Sequence, residues 1–170
     1  MKYFFDTEFA ETGGKPSPTI DLISIGIVAE DGREYYAESS ELQVGNCNQW
    51  VAENVLPLLG PAADRKKRNT IRDEITEFVG GDLLAEFWAY YCSYDWVVFC
   101  WLWGAMVDLP KGFPMLCGDL QVEWIRQGRP EGVKPPDPED EHNALADARW
   151  NAQLYEALRG HAQPYLKEVL

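Results

Sequence analysis

In this 170-residue sequence the first side chains with clear chemical potential are two carboxylates in an otherwise apolar stretch, Phe4-Phe5-Asp6-Thr7-Glu8-Phe9. The aromatic composition predicts a β-strand, and a strand turns alternate side chains to one face, so Asp6 and Glu8 point the same way. Like charges about 4 Å apart at an effective dielectric near 20 repel by roughly 4 kcal/mol. No basic residue within the strand offsets that. Either the strand end opens to water, or a cation sits between the groups. A hard divalent ion such as Mg²⁺ or Mn²⁺ takes oxygen ligands and suits the second reading.

Two further acids stand out by their surroundings. Asp95 is isolated among Tyr91-Cys92-Ser93-Tyr94 and Trp96-Val97-Val98-Phe99, just after a predicted strand. Junctions at the carboxyl ends of strands are where α/β sheets build sites, although an acid there also complements a helix dipole. Asp147 lies in His142-Asn143-Ala144-Leu145-Ala146-Asp147-Ala148, where small residues let something approach the helix closely. His142 is one of two histidines. Five residues along an ideal helix is a rotation of about 140°, so His142 and Asp147 can cooperate only if His142 precedes the regular turns.

The elements that would position these groups follow from periodicity. Thr19 to Ala29 reads as a long second strand, and Glu30-Asp31-Gly32-Arg33 as a hairpin turn. Glu34 to Ser39 reads as a third strand, completing an antiparallel meander. Helices are predicted from Asn48 to a stop at Pro57 and from Pro61 to Val79, the latter ended by Gly80-Gly81. Glu86 to Tyr91 is a fourth strand. Ser93 is the expected cap of a helix reaching about Trp103. Leu109 to Gly118 is a loop, Leu120 to Gln127 a helix, Gly128 to Asp140 an extended loop with four prolines, and His142 to Leu158 the last helix. Ala10 to Pro18 reads as a Gly-rich loop and the residues from about 159 as a tail. The layout is α/β, with a mixed sheet and a single domain over residues 1–170.

Composition narrows the function. A net charge of −13 excludes a general electrostatic grip on nucleic acid. The basic run Arg65-Lys66-Lys67-Arg68 reads as a solvated helix face. Cys47, Cys92, Cys100 and Cys117 form no CxxC pair and are expected to be reduced thiols of a cytoplasmic protein. No apolar run is long enough to span a membrane, and the amino terminus lacks a signal-peptide layout.

In chain order, Phe5-Asp6-Thr7-Glu8-Phe9, Tyr94-Asp95, and His142 followed five residues later by Asp147 resemble the three motifs of the DEDDh 3′→5′ exonucleases. That family belongs to the ribonuclease H-like superfamily. The resemblance covers about residues 3 to 158. It is nearest to the small mycobacterial-type 3′ exoribonucleases, with ribonuclease T and oligoribonuclease as relatives. The segments Leu22 to Tyr36 and Asp95 to Gly104 carry it further. The lead-in Cys92-Ser93-Tyr94 and the long loop after Phe9 depart from the family pattern, and both bear on substrate contacts.

The resemblance implies a ribonuclease H-like fold, a mixed central sheet flanked by helices, and two Mg²⁺ or Mn²⁺ ions. Asp6 would bridge them, Glu8, Asp95 and Asp147 would complete the ligand set, and His142 would be the general base, histidine being the side chain that titrates near neutrality. The implied reaction removes nucleoside 5′-monophosphates from the 3′ end of single-stranded RNA or 3′ overhangs. Phe9, Trp50 and Phe113 are candidates for packing on bases, and Thr7 for reaching the terminal sugar through its N–H and hydroxyl. A homodimer is implied by the relatives. The competing readings are a DNA exonuclease of the same fold and a non-catalytic acidic protein that mimics nucleic acid or regulates a nuclease.

Overall fold

The stretch carrying Asp6 and Glu8 forms the central strand of a five-stranded sheet. This strand, β1 (Lys2–Thr12), pairs antiparallel with β2 (Thr19–Ala29), which pairs antiparallel with β3 (Glu34–Glu38). On its other side β1 runs parallel to β4 (Glu86–Ala89), which runs parallel to the two-residue β5 (Gly118–Asp119). The order is therefore β3-β2-β1-β4-β5. This computed structural model describes residues 1–12 and 19–161. The predicted loop after Phe9 falls largely at residues 13–18, outside the described residues, as does the tail from residue 162.

Strand alternation divides the core. Tyr3 and Phe5 face one side, where they meet Ile71 and Ile75 of α2 (Arg68–Val79) and Trp96 and Phe99 of α3 (Ser93–Trp101). Phe4 faces the other side and packs its ring 5.1 Å from that of Tyr155 on α5 (Ala144–His161). Full burial of each such apolar side chain contributes about 1.5–3 kcal/mol. Helix α4 (Leu120–Arg126) joins α5 through buried Leu120, Leu154 and Leu158. The short helix α1 (Gln49–Asn54) covers Ala10 and Ile23 with Val51 and Val55.

Several elements differ from the sequence reading. Strand β1 continues to Thr12 because its pairing with β2 runs on to Thr12 opposite Thr19. Helix α2 starts at Arg68, not Pro61, because residues before it pair with the end of β3: Lys66 N–H donates to Glu38 O at 2.8 Å, and Ser40 N–H to Lys66 O at 2.8 Å. The basic run is consequently no helix face. Arg65 pairs with Glu38, Lys66 with Glu74 and Arg68 with Asp21. Ser93 is the first residue of α3 and caps nothing; Cys92 holds the cap position without a side-chain bond. Pro57 lies within a 3₁₀ turn, Leu56–Leu58, that continues from α1. Helix α5 begins at Ala144 and runs to His161, so His142 precedes it.

Candidate active site

Three elements bring the acids together. Asp6 and Glu8 rise from the same face of β1, as alternation requires, and Asp147 descends from the first turn of α5. Asp6, Glu8 and Asp147 each offer an oxygen within 4.8 Å of the others. The approach of α5 depends on Gly26, which pairs with Asp6 across β1 and β2. A Cβ at Gly26 would lie 2.3 Å from Ala144 O and 2.5 Å from Leu145 Cα, so only glycine lets the helix start rest on the sheet there. Asn151, one turn beyond Asp147, ties the two elements: its Nδ2 donates to Phe5 O at 2.8 Å in the buried interface.

Asp95 arrives from the first turn of α3 and is buried. Its Oδ1 accepts from Thr7 N–H at 3.0 Å and from Thr7 Oγ1 at 2.7 Å. His142 stands where the chain turns into α5 with a φ of 70°. That left-handed conformation is uncommon for a residue with a side chain and is typical of positions held for function. It lets His142 N–H donate to Asp147 Oδ2 at 3.0 Å while the imidazole lines the cleft. Asn143 follows as the helix cap, its Oδ1 accepting from Leu145 N–H and Ala146 N–H. The indole of Trp50 meets the His142 ring edge-on, 4.8 Å between centroids.

The cleft has a volume of about 280 Å³ and is lined by these acids, His142, Phe9, Tyr90, Trp150, Asp137 and Glu141. Its electrostatics are those of crowded anions. Burial, then the charges of Asp95, Glu8 and Asp147, hold the Asp6 carboxyl well above the usual carboxylate range. Burial and the charges of Asp147, Asp95 and Glu141 push Glu8 up to about 8. Burial raises Asp147 to about 6 against the opposing effect of the His142 N–H. Burial likewise raises Asp95, opposed by both Thr7 donors. The donors are all hard oxygens, close enough to share a cation, and a divalent ion would offset the burial and crowding that disfavour their charged forms. The residues present therefore fit a Mg²⁺ or Mn²⁺ centre.

Residues 1–159 match the family model described as the 3′-5′ exoribonuclease Rv2179c-like domain. The chain belongs to this family. It is 46% identical over 153 residues to the 3′-5′ exoribonuclease Rv2179c of Mycobacterium tuberculosis (strain ATCC 25618 / H37Rv), with 88% of each protein covered. The same values hold for the 3′-5′ exoribonuclease MT2234.1 of Mycobacterium tuberculosis (strain CDC 1551 / Oshkosh). Among solved structures, exonuclease I superposes with a TM-score of 0.60 at 12% identity, covering 94% of this chain and 40% of that one. E. coli exonuclease I in complex with a dT13 oligonucleotide gives 0.58 at 14% identity, covering 95% and 40%. The chain thus spans less than half of exonuclease I, and the likeness concerns the fold. That fold is ribonuclease H-like, as the motif order implied.

The structure brings Asp6, Glu8, Asp95, His142 and Asp147 to one cleft, with Phe9 on its wall and Trp50 against His142. Phe9 also stacks on Tyr94, 5.8 Å between centroids and 23° between planes. Of the expected substrate contacts, Thr7 lines the cleft and Phe113 does not. Both donors of Thr7 are engaged by Asp95, so Thr7 positions a carboxylate and has no donor left for a sugar. Phe113 packs into the core against Phe87 and Trp103, centroids 5.4 and 5.5 Å away, and does not line the cleft. Sequence reasoning also missed Trp150 and Asn151, although they lie three and four residues beyond Asp147 and so share its helix face. Tyr90 and Gly26 gave no local signal, since their importance comes from neighbours distant in the chain.

Proposed function

We propose that the protein is a metal-dependent 3′→5′ exoribonuclease that releases nucleoside 5′-monophosphates from single-stranded RNA or 3′ overhangs. The observation that carries this reading is the set of oxygens from Asp6, Glu8 and Asp147 within 4.8 Å of one another, in a cleft shared with Asp95 and His142. The names of the M. tuberculosis relatives support the activity and the choice of RNA. A surface mimic of nucleic acid would display its acids outward, whereas these four are turned into one cleft, Asp95 buried and the other three half-buried.

Two Mg²⁺ or Mn²⁺ ions would be held by Asp6, Glu8, Asp95 and Asp147, and would neutralise the site and stabilise the attacking and leaving oxygens of an in-line displacement. The protein supplies the rest. His142 takes the proton from the attacking water, its main chain fixed by Asp147 and its ring braced by Trp50. The bond between phosphorus and the 3′-oxygen breaks as the bond to the water oxygen forms; the departing 3′-oxygen takes a proton from solvent water to leave as a hydroxyl, and His142 returns its proton to solvent. Thr7 holds Asp95 in place through two donors. Phe9, with Tyr94 behind it, offers a face for the terminal base, and Trp50 offers a second, half-exposed face.

The whole chain is one exonuclease domain in this reading, active in the cytoplasm as a homodimer. Leu83, Leu84, Met115 and Leu116 are all more than half exposed and give a second copy apolar surface to cover. Light scattering at the mass of a single chain would remove the dimer. The decisive assay incubates RNA with a 3′ overhang and Mg²⁺ or Mn²⁺, beside Asp6→Ala and His142→Ala. Stepwise shortening by the wild type, lost in both variants, is expected. Equal shortening by the variants would refute the site, and equally fast degradation of DNA would move the substrate class to DNA.

A further inference from the structure

A cleft for a polyanion should present cations or donors to the phosphates, yet six carboxylates and, among the described residues, no lysine or arginine line this one. Its remaining donors are mostly engaged within the protein. Thr7 donates to Asp95, Asn151 Nδ2 to Phe5 O, and Trp150 Nε1 to Pro135 O at 3.3 Å. Tyr90 is different. Its hydroxyl oxygen accepts from Lys134 Nζ, which leaves its own O–H proton free to donate.

Among the described residues Lys134 is one of five cations, with Lys67, Lys111, Arg126 and Arg129, that have no carboxylate partner. Lys2, Arg33, Arg65, Lys66, Arg68, Arg72 and Arg149 are all paired with carboxylates. Lys134 is held by aromatic faces and an amide instead. Its Nζ lies 4.6 Å from the centroid of Tyr90, 4.2 Å from that of Trp124 and 3.4 Å from Gln121 Oε1. An aromatic box fixes an ammonium without neutralising its charge, so the field of Lys134 remains available to an incoming anion.

Resting on the nuclease reading above, we infer that Lys134 and Tyr90 form a backbone-phosphate subsite at the wall of the cleft. Tyr90 donates its hydroxyl proton to a phosphate oxygen, while Lys134 polarises that hydroxyl and supplies the positive charge. The subsite reads no base and acts on any single strand. It complements the carboxylate floor: the floor serves the reacting phosphorus, and the wall holds the strand.

The test measures kcat and KM for the shortening of single-stranded RNA in Mg²⁺ over a range of KCl concentrations. The variants are Lys134→Met, Lys134→Arg and Tyr90→Phe. Lys134→Met keeps the stem in the box and removes the charge. It is expected to lower kcat/KM about tenfold, through KM, and to reduce the slope of log(kcat/KM) against log[KCl] by about 0.7, the value for one phosphate contact on a single strand. Lys134→Arg is expected to retain the wild-type slope. Tyr90→Phe is expected to raise KM several-fold with the slope retained, since the charge stays. An unchanged slope in Lys134→Met, or equal damage from Met and Arg, would overturn the subsite and leave Lys134 with a packing role. Absence of shortening by the wild type would instead overturn the nuclease reading itself.

Discussion

The floor and the wall of the cleft are built by different means. The floor consists of β1, β2, the first turn of α3 and residues 142–147 where α5 begins, held by strand pairing, by the Thr7 donors to Asp95 and by the bare approach of Ala144 to Gly26. The wall is residues 128–141, without helix or strand, held by side chains: Trp124 Nε1 to Pro130 O, Trp150 Nε1 to Pro135 O, and Lys134 in its aromatic box. The floor carries the acids of the reaction centre, and the wall carries Lys134 together with Asp137 and Glu141, which also line the cleft. Main-chain packing has little slack, so the floor can fix several carboxylates against their mutual repulsion. A wall pinned by individual side chains should yield by degrees when one is removed.

The difference predicts a ranking of substitutions. Asp6→Asn stands at the top. It should lower kcat by at least about a thousandfold, because a ligand of the reaction centre is gone. In metal-free buffer at pH 8 it should nonetheless raise the Tm, because one of four crowded charges is removed. The wild type makes the same point through pH. Glu8 at about 8 and Asp147 at about 6 lie above their unfolded values, as do Asp6 and Asp95. The stability tied to these protons is fully present below about pH 4 and lost as pH rises through 6 and then 8. Metal-free protein should therefore melt several degrees lower at pH 8.5 than at pH 5.5, and Mg²⁺ should restore the difference.

Next comes Gly26→Ala, which touches no substrate. Its Cβ must displace the start of α5, costing about 1–3 kcal/mol. The expected Tm loss is about 3–10 °C, with weaker metal binding because Asp147 moves with the helix. A variant with wild-type Tm and activity would show that the floor has slack after all. Thr7→Val removes one of two donors to Asp95 and keeps the shape. A hydrogen bond to a charged group contributes about 1.5–3 kcal/mol, so a roughly tenfold fall in kcat is expected. A change in KM alone would return Thr7 to the substrate. Trp150→Phe tests the wall and should be mildest, with about 1 kcal/mol of stability lost and a few-fold fall in kcat/KM. A collapse of activity would mean the wall is as unforgiving as the floor.

The floor was the legible part of the sequence. Asp6, Glu8, Asp95 and Asp147 are conspicuous because each breaks an apolar or small-residue pattern, and His142 five residues before Asp147 forces a bend that the structure shows as a φ of 70°. The wall was read only as a proline-rich loop, since its anchors are indoles and a lysine whose partners lie elsewhere in the chain. Other contacts absent from the sequence reading share that cause. Thr7 finds Asp95 across 88 positions. Lys66 is drawn out of a predicted helix by the end of β3. Phe113 returns from its loop to the core. Strand β5 has two residues, too few for any periodicity.

The central claim is that the carboxylates of β1, α3 and α5 form a seat for divalent cations. Titrating the intact protein with Mn²⁺ at neutral pH, while following the electron paramagnetic resonance signal of free Mn²⁺, tests it without reference to turnover. The account expects about two ions bound per chain in the wild type and a loss of that binding in Asp6→Ala. Free signal rising in step with added Mn²⁺ from the first equivalent, or binding unaltered in Asp6→Ala, would contradict it.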